Sequence, residues 1–265
     1  MIYAAVVVYN RFCGDSSTCQ SLLAQTGDDL QIFVFDNSER DFGNEAFCRL
    51  RGWQYLGGSG NQGLSKAYNA VISLLMKTAQ SGWICLLDDD TVLQPDFLGD
   101  MQGYIKANGD ADILIPILTQ DGIIRSPSRI GTRGGRYFSS VAECLSASPD
   151  KLQAFNSCMT VNLRVYRHYR YDERIFLDGL DHAFMRDMQA AQRKILVVPC
   201  QCSHSFSGGQ RTTFARALTR FQIYVRDSRI LYEKDKKAYW WIVGKRCIHL
   251  CVQYRRIAFL KVLFS

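Results

Sequence analysis

The sequence predicts an α/β fold: a Rossmann-like, mostly parallel central sheet flanked by helices, with a helical appendage at the C-terminal end. Short apolar runs alternate with segments of helical periodicity over residues 1–210, which is typical of a parallel sheet. Several of these runs stop at clusters of polar turn residues. After residue 210 the pattern changes to basic, aromatic-rich helical segments, which we assign to the appendage.

The first half of the chain supplies most strands of the predicted sheet. Apolar runs predict strands at Tyr3–Tyr9, Leu30–Phe35, Trp83–Leu87 and Ile113–Leu118. Helices are predicted at Thr18–Ala24, at Leu64–Ala79 and after Pro95. The second of these helices has one apolar face, formed by Leu64, Tyr68, Val71, Ile72 and Leu75.

The second half has shorter elements in a region of loops. We predict strands at Ile123–Arg125 and Arg136–Ser139, a helix that begins near Gly179, and a strand from Val197 that leads to His204. Before them, the glycine-rich segment Gly57–Gly63 is predicted to be a loop. Its spacing matches neither a Rossmann fingerprint nor a P-loop, so it is weak evidence for an anion site.

Composition describes a globular protein. With 265 residues and 47% hydrophobic content, the chain can bury one large core or a core plus an appendage. The apolar start is too short for a signal peptide, so we predict a first strand and no export. Ten cysteines are scattered and partly embedded in apolar segments, as Cys85 is, which favours reduced thiols in the cytoplasm.

The net charge of +7 is unevenly distributed, because residues 211–265 carry +10 and residues 1–210 carry −3. On a helix, one stripe holds basic and polar residues (Lys245, His249, Gln253 and Arg256), and the opposite side holds Val243, Cys247, Cys251, Tyr254 and Ala258. Such a helix either lies on an anionic membrane surface or packs on its own domain. Nucleic acid is not predicted as a partner, since no recognition motif accompanies the charge.

An acidic triplet, Asp88-Asp89-Asp90, directly follows the predicted strand Trp83–Leu87. Ligands of open α/β sheets bind at the carboxyl ends of the strands, and crowded carboxylates repel one another unless a cation lies among them. Mg²⁺ or Mn²⁺ with a diphosphate would supply that charge. The alternative is an acidic turn at the start of the helix after Pro95, with Asp90 or Thr91 near its cap.

A second acidic pair, Asp178 and Asp181, stands where a helix is predicted to begin. The spacing of three places both carboxylates on one helical face, where one of them can accept a proton. Asp178 also suits the N-cap of this helix.

These motifs together resemble those of family 2 glycosyltransferases of the GT-A fold, over roughly residues 1–210. The resemblance rests on motifs that occur in the same order: Val6–Asn10, Asp36-Asn37-Ser38, Asn61-Gln62-Gly63 with Asn69, Asp88–Thr91, the pair Asp178 and Asp181, and His204. The segments around Asp88 and Asp178 look most like the bacterial rhamnosyltransferases and galactofuranosyltransferases that build surface polysaccharides such as O-antigen and capsule. Residues 1–118 would then form the nucleotide-sugar-binding half and residues 119–210 the acceptor-binding half.

The resemblance implies roles for individual residues on the donor side. Asp36 would hydrogen-bond the pyrimidine of a UDP- or dTDP-sugar. Asp88 would face the ribose, Asp90 would bind the metal, and Asp89 would assist. His204 would complete the metal site, or else anchor a loop by hydrogen bonds. Four further residues would lie beside the nucleotide: Tyr9, Asn10, Asn61 and Gly63.

The implied reaction is an inverting, metal-dependent transfer of rhamnose, galactofuranose or another hexose to a hydroxyl group. Asp181 is assigned as the general base and Asp178 as the alternative base. The acceptor would be a lipid-linked saccharide, consistent with arginines in the acceptor half (Arg125, Arg129, Arg133 and Arg136), although these equally suit a solvated loop. The basic C-terminal helices would hold the protein at the inner face of the plasma membrane.

Two other functions stay open at this point. A nucleotidyltransferase acting on a sugar phosphate also uses carboxylates and a metal on an α/β sheet, but it releases pyrophosphate. A non-catalytic partner of a polysaccharide synthesis complex would keep the fold and use its tail for docking.

Overall fold

The computed structural model describes residues 1–25, 29–130, 135–204 and 212–264, with the backbone alone for residue 204. The strands are β1 (Ile2–Val8), β2 (Leu30–Asp36), β3 (Gln54–Gly57), β4 (Trp83–Asp88), β5 (Thr91–Leu93), β6 (Ile113–Gln120), β7 (Ile123–Ser126), β8 (Ser128–Arg129), β9 (Arg136–Tyr137), β10 (Leu152–Gln153), β11 (Thr160–Asn162) and β12 (Ile195–His204). The helices are α1 (Ser17–Leu23), α2 (Asn44–Leu50), α3 (Leu64–Thr78), α4 (Phe97–Ala107), α5 (Val141–Leu145), α6 (Leu180–Ala190), α7 (Phe214–Leu231), α8 (Lys236–Tyr254) and α9 (Ala258–Val262).

The large sheet has the strand order β3-β2-β1-β4-β11-β6-β12-β5, with β7 paired to β6. Strands β3, β2, β1 and β4 are mutually parallel, and so are β6 and β12. Antiparallel pairing brings in β5, β7 and β11. The chain leaves β1 toward β2 on one side and returns to β4 on the other, so the strand order reverses at β1. This reversal creates the crevice in which open sheets bind ligands.

Helices cover both faces of the sheet, which explains why the central strands are apolar throughout. Alternate residues of β1 enter two different cores: Tyr3, Ala5 and Val7 pack with α3, whereas Val6 and Val8 lie in the core on the other face. The predicted apolar face of α3 is confirmed, with Tyr68, Val71, Ile72 and Leu75 fully buried. The predicted α/β fold is therefore confirmed.

Several elements were not predicted. They are α2, α5, β3, β5 and β11, together with β8 and β10 of the small antiparallel sheet; its third strand, β9, lies within the predicted strand Arg136–Ser139. The strands among them have only two to four residues, too few to show a periodicity of two, and the helices have no more than two turns. The helix after Pro95 starts at Phe97 with Asp96 as its N-cap, so the alternative that Asp90 or Thr91 caps it is wrong.

The C-terminal helices α7, α8 and α9 share a core of their own, built around Phe221, Val243, Cys247 and Phe259. The predicted apolar side of α8 is thus confirmed for Val243 and Cys247. The predicted basic stripe is wrong at its end, because Arg255 adopts a left-handed conformation that terminates α8 before Arg256. For the same reason Ala258 belongs to α9 and not to α8.

All ten cysteines are free and nine of them are buried, as expected for reduced thiols. Within the described ranges, no helix combines the length and the apolar character needed to cross a bilayer.

Candidate active site

The strand register gathers three of the predicted motifs at the carboxyl edge of the sheet. Asp36 at the end of β2 lies opposite Val8, and Asp88 at the end of β4 lies opposite Val7. The end of β1 therefore lies between the two aspartates. His204, at the end of β12, pairs in register with Thr91, but its side chain lies outside the described residues. Its role as a metal ligand stays a prediction.

The backbone of the acidic triplet is fixed by the segment that follows β1. Thr18 donates its hydroxyl to the carbonyl oxygen of Asp88 at 2.5 Å, and Ser16 donates to that of Asp89 at 2.7 Å. The Asp89 carboxylate accepts the N–H of Tyr9 at 3.2 Å and lies 3.8 Å from Nε of Arg11. Asp89 thus connects the triplet to the loop after β1, whereas Asp88 lines a cavity that Asp178 and Asp181 also line.

Electrostatics at this edge suit a cation. Burial, reinforced by the neighbouring carboxylates of Asp90, Asp89 and Asp181, raises the pKa of Asp88 to about 7. A divalent ion favours carboxylate oxygens and would relieve this repulsion. In the part of the chain that the structure describes, no three His, Cys, Asp or Glu side chains form a metal cluster. Asp88 and Asp90 stay the predicted ligands of such an ion.

On the β2 side, Asp36 is held in a fixed orientation. Its carboxylate accepts the N–H of Ser38 at 3.0 Å and the side-chain amide of Asn44 at 2.8 Å. A cavity of about 520 Å³ opens beside it, lined also by Tyr55 and by Gly57 of the glycine-rich loop. A cavity of this volume at the carboxyl ends of β2 and β3 is suited to a nucleotide.

The predicted nucleotide-side residues border this region through a network of hydrogen bonds. The N–H of Asn10 donates to Ser38 Oγ at 2.9 Å, and the Tyr9 hydroxyl donates to Glu39 at 3.2 Å. Asn61 accepts the N–H of Gly63 at 3.1 Å.

Gly63 has a structural reason to be glycine. Its φ is +88°, and a Cβ atom would lie 2.7 Å from the carbonyl oxygen of Phe176. The N–H of Leu64 donates to that same oxygen at 2.7 Å. The glycine-rich loop is therefore packed against the segment that precedes the second acidic pair.

A second, smaller cavity of about 200 Å³ brings the two acidic motifs together. Asp88, Asp178 and Asp181 all line it, together with Ser157 and Arg220. The fold thus brings Asp88 close to the second acidic pair, which is about 90 residues away in the sequence. This volume is below the usual range for drug-sized ligands and suits a single sugar ring.

The two aspartates of the second pair have different surroundings. Asp178 forms a bidentate ion pair with Arg220 of α7, in which Nη2 and Oδ1 are 2.7 Å apart. Burial raises the pKa of Asp178, and the Arg220 guanidinium counteracts that shift. Gly179 is the N-cap of α6, so the alternative N-cap role of Asp178 is wrong. Asp181 lies in the first turn of α6, accepts the N–H of His182 at 2.8 Å and has no ion-pair partner among the described residues.

A buried carboxylate of α7 holds the backbone in front of these aspartates. Asp227 is 0% exposed and accepts three consecutive N–H groups, those of Phe176 at 3.1 Å, Leu177 at 2.8 Å and Asp178 at 2.9 Å. Arg226 lies beside it at 3.2 Å. Helix α7 therefore contacts the segment before α6 through Asp227 and lines the smaller cavity through Arg220.

Two buried side chains of the smaller cavity carry polar atoms without hydrogen-bond partners. They are the hydroxyl of Tyr68 and both amide atoms of Asn156, which is 4% exposed. Such atoms are rare in proteins because each costs roughly 1–3 kcal/mol, so a polar ligand is their natural partner.

Sequence reasoning missed four residues of the site: Tyr68, Asn156, Arg220 and Asp227. Tyr68 was recognised only as part of an apolar helix face, where its hydroxyl was the one available signal. The charged residues of α7 look like ordinary surface charges in the sequence, and the loop around Asn156 has no periodicity.

Known proteins resemble the chain at the level of family and of fold. A family model described as Glycosyl transferase family 2 matches residues 3–196. Among curated protein sequences, no significant match is found.

Solved structures resemble the chain in fold. S. aureus TarS aligns with a TM-score of 0.55 at 13% identity, over 87% of this chain and 43% of TarS, so the chain spans less than half of that protein. Residues 1–349 of TarS in complex with UDP-GlcNAc give 0.54 at 13% identity, over 86% and 66% of the two chains. The mannosyltransferase PcManGT from Pyrobaculum calidifontis, in complex with GDP-Man and Mn²⁺, gives 0.57 at 14% identity, over 99% and 71%.

Proposed function

The chain belongs to glycosyltransferase family 2, and from this premise we propose that it transfers a sugar from a UDP- or dTDP-sugar to a hydroxyl group, with inversion at the anomeric carbon. The observation that carries the proposal is the convergence of Asp88 and Asp181 on one sugar-sized cavity, while Asp36 lines the larger cavity at the same edge of the sheet, two strands away from Asp88. TarS and PcManGT bind nucleotide sugars, which supports a nucleotide sugar as the donor class.

On the donor side, Asp36 would read the base from the end of β2. Its carboxylate is already oriented by Ser38 and Asn44, so it can accept a hydrogen bond from the N–H of a pyrimidine without reorganising. Asp88 and Asp90 would hold Mg²⁺ or Mn²⁺; PcManGT was solved with Mn²⁺. When bound, the cation would offset the negative charge that develops on the leaving diphosphate.

In the transfer step, Asp181 would act as the general base. Its carboxylate takes the proton from the acceptor hydroxyl while that oxygen forms a bond to the anomeric carbon. The bond from the anomeric carbon to the phosphate oxygen breaks, and its electron pair leaves with the nucleoside diphosphate. Asp178 suits this role less, because both its oxygens face the Arg220 guanidinium.

The acceptor we propose is a lipid-linked saccharide of a bacterial surface polysaccharide, reached at the inner face of the plasma membrane. Exposed apolar residues on the C-terminal helices support membrane contact: Ile248, Val252, Ile257 and Phe264 are all more than half exposed. Arg255, Arg256 and Lys261 lie among them and are exposed as well. This combination is typical of a peripheral contact with anionic lipid.

The donor is tested by thermal unfolding with a panel of UDP-, dTDP- and GDP-sugars, each with Mn²⁺ or Mg²⁺. A bound donor raises the melting temperature by mass action, and we expect one pyrimidine donor to do so only with metal. Asp90→Ala should remove the shift, whereas Asp96→Ala, on an exposed residue six positions further on, should keep it. The proposal would be overturned if no donor raised the melting temperature, or if the protein released pyrophosphate from a nucleoside triphosphate.

A further inference from the structure

A groove of about 610 Å³ lies between the C-terminal helices and the small sheet. Tyr224 of α7 and Trp241, Lys245 and Arg246 of α8 form one wall, and Gln153 of β10 lies on the other side. His182 of α6, the residue after Asp181, also lines it. The groove shares no lining residue with the cavity beside Asp36 or with the smaller cavity that contains Asp181. A second substrate therefore has a separate place to bind.

Lining residues shared with a third cavity relate the groove to the smaller cavity that contains Asp181. A small cavity of about 20 Å³ lies between them. It shares Gln153 and His182 with the groove, and it shares Phe155 and Asp181 with the catalytic cavity. His182 and Gln153 contact each other at 2.8 Å, between imidazole Nδ1 and the amide oxygen. A ligand that fills the groove can therefore present a group to Asp181.

This connecting cavity also contains an unpartnered donor. Nε of Arg125 is buried without a hydrogen-bond partner, and the same side chain lines the small cavity. Its guanidinium stacks on the Tyr137 ring, with 5.1 Å between Cζ and the ring centroid, which fixes its position. A ligand oxygen entering from the groove would satisfy this donor.

The charged side chains that line the groove are all basic. Its lining includes Lys245, Arg246 and His249 and, among the described residues, no Asp or Glu. Residues 236–265 contain no acidic residue at all. Arg246 stacks on the Tyr224 ring at 4.8 Å from the centroid, so its guanidinium is held in place. Such a wall attracts phosphate.

Aromatic surface accompanies this charge. Trp241 is 62% exposed although it lines the groove, and Lys245 and His249 follow it at intervals of four residues on the same face of α8. From Trp241 to His249 this face spans about 12 Å. A flat indole face beside a row of cations suits a sugar ring next to a phosphate.

We propose that this groove is the acceptor site and binds a saccharide joined to phosphate or diphosphate. A sugar ring packs on Trp241, the phosphate lies against Lys245 and Arg246, and the reacting hydroxyl reaches Asp181 through the connecting cavity. The assignment rests on the proposed sugar transfer, and it deepens it by placing the acceptor on α8 and not only on the loops of the acceptor half.

The test is a binding measurement that does not depend on turnover. The chain has four tryptophans, so labelling with 5-fluorotryptophan gives four ¹⁹F signals, and Trp241→Phe identifies the one that belongs to Trp241. The probes are glucose, galactose and N-acetylglucosamine, each linked through diphosphate to a short soluble isoprenoid. Uncharged alkyl glycosides of the same sugars and the isoprenoid diphosphate without sugar serve as matched controls.

We expect at least one glycosyl diphosphate to shift the Trp241 signal while that of Trp240, its neighbour outside the groove, stays unchanged. The affinity of its uncharged glycoside and that of the sugar-free diphosphate should each be lower by a factor of about ten or more. Lys245→Gln and Arg246→Gln should weaken the diphosphate probe by a similar factor, whereas Arg255→Gln, beyond the end of α8, should not.

Two results would overturn the assignment: no probe shifts the Trp241 signal, or the sugar-free diphosphate shifts it as strongly as the complete probes. A donor-induced rise in melting temperature, measured on the same samples, separates these failures from a failure of the proposed function. If that rise persists in Trp241→Phe, only the acceptor assignment is lost.

Discussion

The side chain of Asn156 lowers the stability of the folded protein. Its two amide atoms lie buried in the sugar-sized cavity without partners, so the folded protein loses hydrogen bonds that the unfolded chain makes with water. Sites that bind hydroxyl groups need such preformed donors and acceptors. We infer that Asn156 and the nearby Tyr68 hydroxyl read the hydroxyls of the sugar bound there.

Asn156→Leu should therefore have opposite effects on stability and activity. Removing the unpartnered amide should raise the free energy of unfolding by about 1 kcal/mol, and kcat/KM should fall at least about tenfold. Urea denaturation and initial rates measure the two effects. Thr160→Val is the control, because its buried hydroxyl also lacks an oxygen or nitrogen partner but lies in β11, away from the cavity. Lower stability with unchanged activity in Asn156→Leu would contradict this role.

The roles of Asp181 and Asp178 can be separated by matched substitutions. Asp181→Asn should lower kcat by about 10²–10⁴-fold and leave the donor-induced rise in melting temperature intact, because the proton acceptor is lost and the fold is not. Asp178→Asn should cost about 1 kcal/mol of stability, since the ion pair with the half-exposed Arg220 is partly screened by solvent. Its effect on kcat should be smaller. A stable, donor-binding but inactive Asp178→Asn would identify Asp178 as the base.

At the scale of elements, α7 connects the C-terminal helices to the segment before α6. Three N–H groups that precede a helix need acceptors, and the buried Asp227 provides one carboxylate for all three. A charged acceptor forms stronger hydrogen bonds than a neutral one, so this contact sets the position at which α6 begins. Asp181 lies one turn further along.

Asp227→Asn tests this connection with little change in volume. The amide would place an NH₂ group toward N–H donors that now face an oxygen, and we expect a loss of about 2–3 kcal/mol in the free energy of unfolding. We expect kcat to fall more than donor affinity, because the donor cavity beside Asp36 is not in contact with α7. Asp235→Asn, at the N-cap of α8, should change neither quantity measurably, since Asn and Asp cap equally well. An active, fully stable Asp227→Asn would refute the argument.

The elements that the sequence predicts are those with enough residues to show a period. β1, β4, β6 and α3 are long and buried, so their boundaries were predicted to within about two residues. β11 has only three residues, yet it separates β4 from β6 in the sheet. No local pattern can reveal such an insertion, because its strand pairing depends on segments far away in the chain.

The residues of the candidate site likewise fall into two groups, those that a local sequence pattern indicates and those that it does not. Asp36, Asp88 and Asp181 follow buried strands or begin a helix, so local patterns indicate them. Arg220 and Asp227 act on residues 42 and 49–51 positions away, and nothing near them in the sequence records those contacts. The predicted roles of the site residues all stay predictions that the variants above can test.

At the scale of the whole molecule, charge and exposed apolar surface coincide at one end of the chain. Residues 236–265 contain seven Lys and Arg and no acid, which equals the net charge of the whole chain. Ile248 and Val252 are exposed on α8 at a spacing of four residues. A surface of this kind binds anionic lipid through both attraction and burial.

The protein should therefore sediment with vesicles that contain anionic lipid and should dissociate as ionic strength rises. Ile248→Gln combined with Val252→Gln should weaken vesicle binding about tenfold or more, because two apolar side chains no longer enter the bilayer. Leu50→Gln is the control, since Leu50 is equally apolar and 82% exposed but lies on α2. Equal sedimentation of all three proteins would exclude this surface as the membrane contact.

The sequence analysis places a domain boundary at residue 210, which predicts that residues 1–210 are a complete catalytic domain. The contacts of α7 argue for a different result. A chain that ends at residue 210 lacks Arg220 and Asp227, so Asp178 loses its counter-ion and three N–H groups lose their acceptor. Ile230 and Leu231, which pack against the main core, are removed as well.

We expect this chain to melt several degrees below the full-length protein, or without a cooperative transition, and to transfer no sugar. Calorimetry of both chains measures the difference, and donor hydrolysis measures the activity. If residues 1–210 melt at the full-length temperature and turn over the donor, the C-terminal helices are an appendage after all; if not, the catalytic unit extends at least through α7.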